Sequence, residues 1–338
     1  MLMNFKTALG EIVKNQASFT LFTAPMGWGK TRLVWELLEE NRKIIFICPL
    51  RSIVDELSSR ENSIALGGGD RSRAIKQFYQ QDKSVLVSTV ESFPWEQVDN
   101  IIEDCNPLFV LDEFHLFYEW GETFRPHLYE MFRYLVLARA RIFALTATFE
   151  EQVKEKLVND LKLNDLSSYF IDIGNFQLRT DPSRVFDIRD KKTVEDIFLC
   201  HCYLYRRGRI LIFVRTRREA REWKRKLLKM GHSCSICLGG EVRDFIKDEY
   251  IDKKRIVIAT SALSHGVNLR NIRRVFLTYE PAEFMKAQMI GRGGRFGESF
   301  KVYQLANNLI ESSFISICLN RVRSFIYQNT VQALGYIF

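Results

Sequence analysis

The sequence has no run of about twenty consecutive apolar residues, which excludes a helical membrane span, and no membrane partner is expected. Its opening, MLMNFKTALGEIV, shows no basic leader followed by an apolar core, so it does not read as a secretory signal. Cysteine is sparse. There are seven, an odd number scattered through apolar segments, which fits a reducing cytoplasm better than a disulfide framework. Two close pairs stand out, Cys200 with Cys202 in CHC and Cys234 with Cys237 in CSIC. They offer either zinc ligands or buried thiols. The first pair lies in a helix-like stretch and the second in a strand-like one, which favours buried thiols. No low-complexity segment or short repeat occurs.

At 338 residues the chain is too long for one ordinary domain and suits two. Apolar residues make up 46%, enough for two cores, and 49 basic against 41 acidic residues give a net charge of +8. That balance favours a polyanionic partner and says nothing about fold. Short apolar runs recur, each followed by a loop and a helical pattern: FTLFT (19–23), IIFIC (44–48), VLVS (85–88), LFVLD (108–112) and IFALT (142–146). ILIFV (210–214), CSICL (234–238), RIVIA (255–259), RVFLT (274–278) and KVYQL (301–305) follow in the second half. Such runs alternating with helices predict parallel strands buried on both faces. The expected fold class is α/β, with two tandem domains at 1–178 and 190–338. The stretch 175–188, polar and broken by Pro182, marks the junction, and the linker is expected at 179–189.

Residues 24–31, APMGWGKT, sit between a strand and a helical pattern, the arrangement of a phosphate-binding loop. Gly27 and Gly29 permit the tight turn, and the helix N-terminus faces the phosphates. Lys30 would neutralise the β and γ phosphates, and Thr31 would help hold Mg²⁺. LFVLDEFH places Asp112 and Glu113 at the carboxyl end of a strand, where open α/β sheets bind ligands. Asp112 suits Mg²⁺ and Glu113 suits the attacking water. In LTAT, Thr146 and Thr148 offer hydroxyls that could link this site to a domain interface, or simply cap a helix. QMIGRGGR (288–295) sets Arg292 and Arg295 among glycines, so its backbone can approach another surface. Arginines on a second domain can stabilise charge on a γ-phosphate bound to the first.

In this order the segments resemble superfamily 2 nucleic-acid helicases, and more closely the RecQ family. APMGWGKT resembles motif I, DEFH motif II, ALTAT motif III, ATSALSHGVNL motif V and QMIGRGGR motif VI. CPLRSIVDEL resembles motif Ia, VSTVESF motif Ib and ILIFVRTRREA motif IV. EWGETFRP reproduces the spacing that follows motif II in RecQ proteins, a loop that senses single-stranded DNA through Trp120, Phe124 and Arg125. Base–aromatic stacking supplies about 1–3 kcal/mol per base without sequence preference.

The resemblance implies two tandem RecA-like domains and an ATP-dependent, Mg²⁺-requiring DNA helicase or 3′-to-5′ translocase. It places Gln288 at the nucleotide and gives coupling roles to His115, Thr146, Thr148 and Gly266. Single-stranded or forked DNA would run past Arg51, Ser52, Ser88, Thr89, Thr216, Arg217 and Thr260. Phosphate contacts do not read the sugar, so RNA stays open as a partner.

Two departures matter. The family's amino-terminal Phe-Arg-x-x-Gln element corresponds to Phe5, Lys6 and Leu9. Leucine cannot hydrogen-bond an adenine edge, so the nucleotide stays open between ATP and another NTP. After motif VI the expectation is a helix-rich segment, without the zinc-binding, winged-helix and HRDC regions of larger RecQ proteins. Alternatives are therefore a partner-dependent single-strand-binding module, with another protein supplying strand separation, or a translocase that does not unwind.

Overall fold

A computed structural model describes Leu9 and residues 18–67, 70–247, 253–264 and 269–306. Phe5, Lys6, Gln16, Gly266 and the segment 307–338 lie outside the described residues. The chain divides into two compact units between Leu178 and Arg179.

The first unit carries seven parallel strands: β1 (Ser18–Thr23), β2 (Lys43–Ile47), β3 (Ser63–Leu66), β4 (Ser84–Ser88), β5 (Leu108–Leu111), β6 (Arg141–Thr146) and β7 (Ser167–Asp172). Their order is β3-β4-β2-β5-β6-β1-β7. Strand alternation sends Phe19, Ile45, Phe109 and Ile142 into one core, and Phe22, Phe46, Val110 and Phe143 into the other. Helices Lys30–Asn41 and Arg51–Leu57 cover the second face, and Arg71–Gln80, His127–Leu137 and Glu151–Leu163 the first. Each fully buried aliphatic or phenyl side chain contributes about 1.5–3 kcal/mol. The two-sided burial is why these strands read as continuous apolar runs.

The second unit holds six parallel strands: β8 (Arg184–Ile188), β9 (Arg209–Phe213), β10 (Cys234–Cys237), β11 (Ile256–Ala259), β12 (Ile272–Leu277) and β13 (Lys301–Leu305). Their order is β10-β11-β9-β12-β13-β8. β8 corrects the expected linker, because residues 184–188 pair with β13 as an edge strand. Arg184, Val185 and Asp187 made the segment look irregular. Its register is held by Phe186, stacked on Tyr303 at 4.7 Å. β3 and β7 were likewise not anticipated. β7 is exposed at nearly every position, so it shows no apolar run.

The four paired cysteines are all buried. Cys202 and Cys234 share one face of the second sheet and Cys237 belongs to the other, so the four do not surround one ion. Burial pushes the Cys202 and Cys237 thiols up to about 12 and Cys200 to about 11.

His201 lies among Tyr205, Tyr303 and Phe276, at ring distances of 4.4, 5.0 and 5.6 Å. Burial first, then the charges of Arg274 and Lys301, lower its pKa to about 3. Above the unfolded value of 6.5 both states are neutral there. As pH falls through 6.5 toward 3, the unfolded chain gains a proton that the folded state excludes, so stability is lost. The expected loss from this group is about 2 kcal/mol between pH 7 and pH 5. Denaturant midpoints of wild type and His201→Phe at the two pH values check it: the variant should be less pH-sensitive by about that amount. Identical pH dependence would refute the assignment.

Candidate nucleotide site and strand-facing surface

The phosphate-binding loop leaves β1 at Thr23 and enters the helix at Lys30. Its backbone is pinned on both sides: Ala24 N–H donates to the Thr146 carbonyl at 3.1 Å, and Met26 bridges to Leu178. Trp28 packs its ring on Phe22 at 5.3 Å. Gly27 and Gly29 take φ of 76° and 108°, in the left-handed region that favours glycine. The first turn of the helix has no acidic residue and no side-chain cap, so its N–H groups suit an anion. Lys30 Nζ donates to the carbonyls of Ala24 and Pro25 at 3.0 and 3.3 Å, and Thr31 follows, half-buried.

In the sheet, β6 lies between β1 and β5, which brings the acid pair to the same edge as the loop. Asp112 N–H donates to the Ile47 carbonyl and Phe114 N–H to Leu145, at 2.9 and 2.8 Å. Phe114 is buried against Phe19, Phe132, Phe117 and Phe149, so the backbone around the pair is anchored on its core side. Glu113, between the two pinned residues, has φ of 48°, a strained conformation for a non-glycine residue. Burial, and then the neighbouring Glu113, push Asp112 up to about 7 against the pull of Lys30. The buried Asp112 carboxylate, the half-buried Glu113 and the Thr31 hydroxyl on the same sheet edge are the hard oxygen donors that Mg²⁺ takes, so the residues fit that ion.

His115 and Thr146 meet directly. Nδ1 lies 3.0 Å from Thr146 Oγ1, which itself donates to the Thr148 carbonyl at 2.8 Å and accepts from Thr148 N–H at 3.2 Å. With that hydroxyl proton committed, the ring nitrogen is the donor, which fixes the tautomer. Burial, then the charge of Lys30, lower His115 to about 3, so it is neutral. Thr146 and Thr148 are thus a hard-wired extension of the acid segment.

On the second unit, Gln288 is buried on helix Glu283–Ile290, and Arg292, 5% exposed, follows it; Arg295 is half-buried. The glycines between them serve a different purpose from the one expected. A Cβ on Gly293 would stand 2.2 Å from the Phe300 ring, and one on Gly294 2.7 Å. The surface they approach is Phe300 of their own unit. Thr260 is buried beyond β11. Thr216 caps helix Arg217–Lys229 by accepting from Glu219 N–H at 3.1 Å, and Arg217 pairs with Glu241.

The strand-facing residues of the first unit divide. Arg51 is exposed at the start of its helix, where Ser52 follows; the Ser52 side chain lies outside the description. Ser88 needs correction as a phosphate contact. It is fully buried, and its hydroxyl donates to the Thr89 carbonyl at 2.8 Å. Thr89, also buried, donates to Ser92 Oγ at 3.1 Å. Arg125 also needs correction: it pairs with Glu91 at 2.6 Å and donates to the Pro49 carbonyl, 5.6 Å over the Trp120 ring. It is a positioning residue that ties the aromatic loop to two other segments. Burial alone would raise the Glu91 pKa, but Arg125 holds it low. Sequence reasoning missed Glu91, which nothing in VSTVESF distinguishes. Phe124, 66% exposed, and Trp120, half-buried, lie 5.3 Å apart.

Gly121 closes this loop against the next helix. A Cβ there would stand 2.1 Å from the Phe117 carbonyl and 2.6 Å from Tyr129 Cβ. Gly121→Ala should therefore displace Trp120 and Phe124, and weaken single-strand binding on the order of tenfold if each ring is worth about 1–3 kcal/mol. Fluorescence anisotropy of a labelled oligothymidylate checks this. Unchanged affinity in a folded variant would remove the loop from the binding surface.

Two family models match the chain: DEAD/DEAH box helicase over residues 6–156, and helicase conserved C-terminal domain over 193–297. The chain is 24% identical over 293 residues to the RecQ-like DNA helicase BLM of Xenopus laevis, covering 75% of this chain and 20% of the relative. To the ATP-dependent DNA helicase RecQ of Haemophilus influenzae it is 27% identical over 193 residues, covering 55% and 30%. It thus spans less than a third of the length of these curated relatives. Its fold is similar to Saccharomyces cerevisiae Dbp5 bound to RNA and ADP BeF3, with a TM-score of 0.66 at 17% identity over 94% of this chain and 86% of that one. Among the described residues no helix is long and apolar enough to cross a membrane. With both family models in chain order over three quarters of its length, and the loop and acid pair on one sheet edge, the chain carries the DEAD/DEAH box helicase and helicase C-terminal domains of a superfamily 2 helicase core.

Proposed function

We propose that the chain is a nucleic-acid-stimulated NTPase, working as a minimal RecQ-like DNA helicase or 3′-to-5′ translocase. The observation that carries this is the convergence of Lys30, Asp112 and Glu113 on one edge, with His115 wired to Thr146. Thr31 and Asp112 would hold Mg²⁺, which would supply charge neutralisation for the β and γ phosphates. Lys30 exchanges the Ala24 and Pro25 carbonyls for phosphate oxygens. Glu113 orients water and takes its proton. Arg292 and Arg295 stabilise the charge that develops on the transferred phosphoryl group, with Gln288 beside the nucleotide. The aromatic loop senses the strand, and its Arg125–Glu91 tie passes that state to the Pro49 segment. The 3′-to-5′ direction and the preference for DNA rest on the likeness to RecQ helicases.

The base is read weakly in this proposal. Leu9, 1% exposed, belongs to the core with Phe22, Leu33 and Val34. A site that hydrogen-bonds its substrate rejects an analogue lacking that group by about 10⁴–10⁵. Without such a bond from Leu9, ATP and GTP should be hydrolysed with kcat/KM within about tenfold of each other. The experiment measures turnover of both nucleotides with single-stranded DNA, with RNA of the same sequence, and with neither. Stimulation by DNA for both nucleotides is expected. Tight strand binding with no turnover would establish the second reading, a strand-binding module, and stimulation by RNA alone would overturn the DNA assignment.

A further inference from the structure

At the N-terminal edge of the second sheet lies an open cavity of about 390 Å³. The entries to three neighbouring strands, β9, β11 and β12, form it. Six cationic side chains line it: Arg206, Arg209, Lys253, Lys254, Arg255 and Arg270. No acidic residue does so among the described residues. Arg209 is buried, and the half-buried Arg255 is fixed by donating to the carbonyls of Cys202 and Tyr205. Arg206, Lys253 and Arg270 are exposed. Convergence of like charges on a concave surface raises the local concentration of polyanions. A basic helix face, by contrast, disperses its charge. The run Arg217–Lys229 does so, pairing Arg217 and Arg221 with Glu241, and Arg218 with Glu222.

Thr216 and Thr260 leave the other ends of these strands. Five residues of β9 separate the two edges, about 16 Å of strand. The cavity is therefore remote from the expected strand path. Its chemistry also differs. Sites for single strands join a basic groove to open aromatic rings. The aromatics beside this cavity already carry partners: Tyr205 is engaged by Arg274 at 3.9 Å and His201 at 4.4 Å, and Phe296 by Arg270 at 5.5 Å. That leaves charge as the grip, which suits the regularly spaced phosphates of a duplex and reads no sequence.

We propose that this edge is a second nucleic-acid site that holds the phosphate backbone of a duplex. It does not depend on NTP hydrolysis. The test uses the full chain with Arg206→Gln, Lys254→Gln and Arg270→Gln combined. Affinity for a short blunt duplex and for a short oligothymidylate is measured across a salt series, with inorganic tripolyphosphate as competitor.

Duplex affinity should fall on the order of tenfold or more, and the slope of log K against log salt should shrink by about 2–3. Oligothymidylate binding should stay unchanged, which also reports that the variant is folded. Unchanged duplex affinity and slope would overturn the proposal. So would tripolyphosphate binding wild type as tightly as the duplex and losing affinity equally in the variant, because the site would then serve a free polyphosphate. Wild type that binds the duplex through this edge but shows no strand-stimulated hydrolysis would count against the NTPase reading and leave this proposal standing.

Discussion

Glu113→Gln abolishes most strand-stimulated hydrolysis, lowering kcat by about 10²–10⁴-fold, the usual worth of a positioned general base. The substitution is nearly isosteric, so the backbone between the Asp112 and Phe114 anchors should persist, including its φ of 48°. What disappears is the carboxylate. Nucleotide binding should survive. Removing a negative neighbour also relieves the second-largest cause of the raised Asp112 pKa, so Asp112 loses its proton more readily. Single-strand affinity should be unchanged. Steady-state turnover with isothermal nucleotide titration checks both halves. A variant that keeps a rate within a few-fold of wild type would reduce Glu113 to a strained structural residue.

Arg292→Ala should cost on the order of a thousandfold in kcat, at the lower end of what an arginine finger contributes. The side chain is held by its surroundings. It follows the C-terminus of helix Glu283–Ile290, and the two glycines after it are locked under the Phe300 ring. The guanidinium is buried, at 5% exposure. Arg292→Lys keeps the charge and loses the planar fork, so it should recover little of the rate. Ground-state nucleotide affinity separates catalysis from unfolding, since a folded variant should bind nucleotide nearly as well as wild type. Full activity of Arg292→Ala would place the arginine outside the chemistry.

The parts of this site that were legible in the sequence are those written in contiguous residues. Strands buried on both faces appear as apolar runs, so β1, β5 and β6 and the residues at their ends could be placed. Gly29, Lys30, Asp112 and Glu113 follow from that placement. Edge strands carry no such signal. β7 and β8 alternate polar and half-exposed residues, and β8 was mistaken for a linker for that reason. Partner choice is equally silent. Arg125 reads as a basic residue available to phosphate, but its guanidinium belongs to Glu91 and Pro49. Ser88 reads as a surface hydroxyl, though it closes a strand end inside the core. Gly293 and Gly294 reveal their reason only once Phe300 is seen to lie on them, seven and six residues further along the chain.

The proposed mechanism requires Glu113 and Arg292 to act on the same phosphoryl group. The most direct measurement compares single-turnover hydrolysis, with single-stranded DNA and saturating nucleotide, in both single variants and in the double variant. Residues that act as one unit lose their effects together, so the double variant should fall less than about tenfold below the slower single one. A double variant slowed by the full product of the two losses, or an Arg292→Ala enzyme running at the wild-type rate, would contradict it.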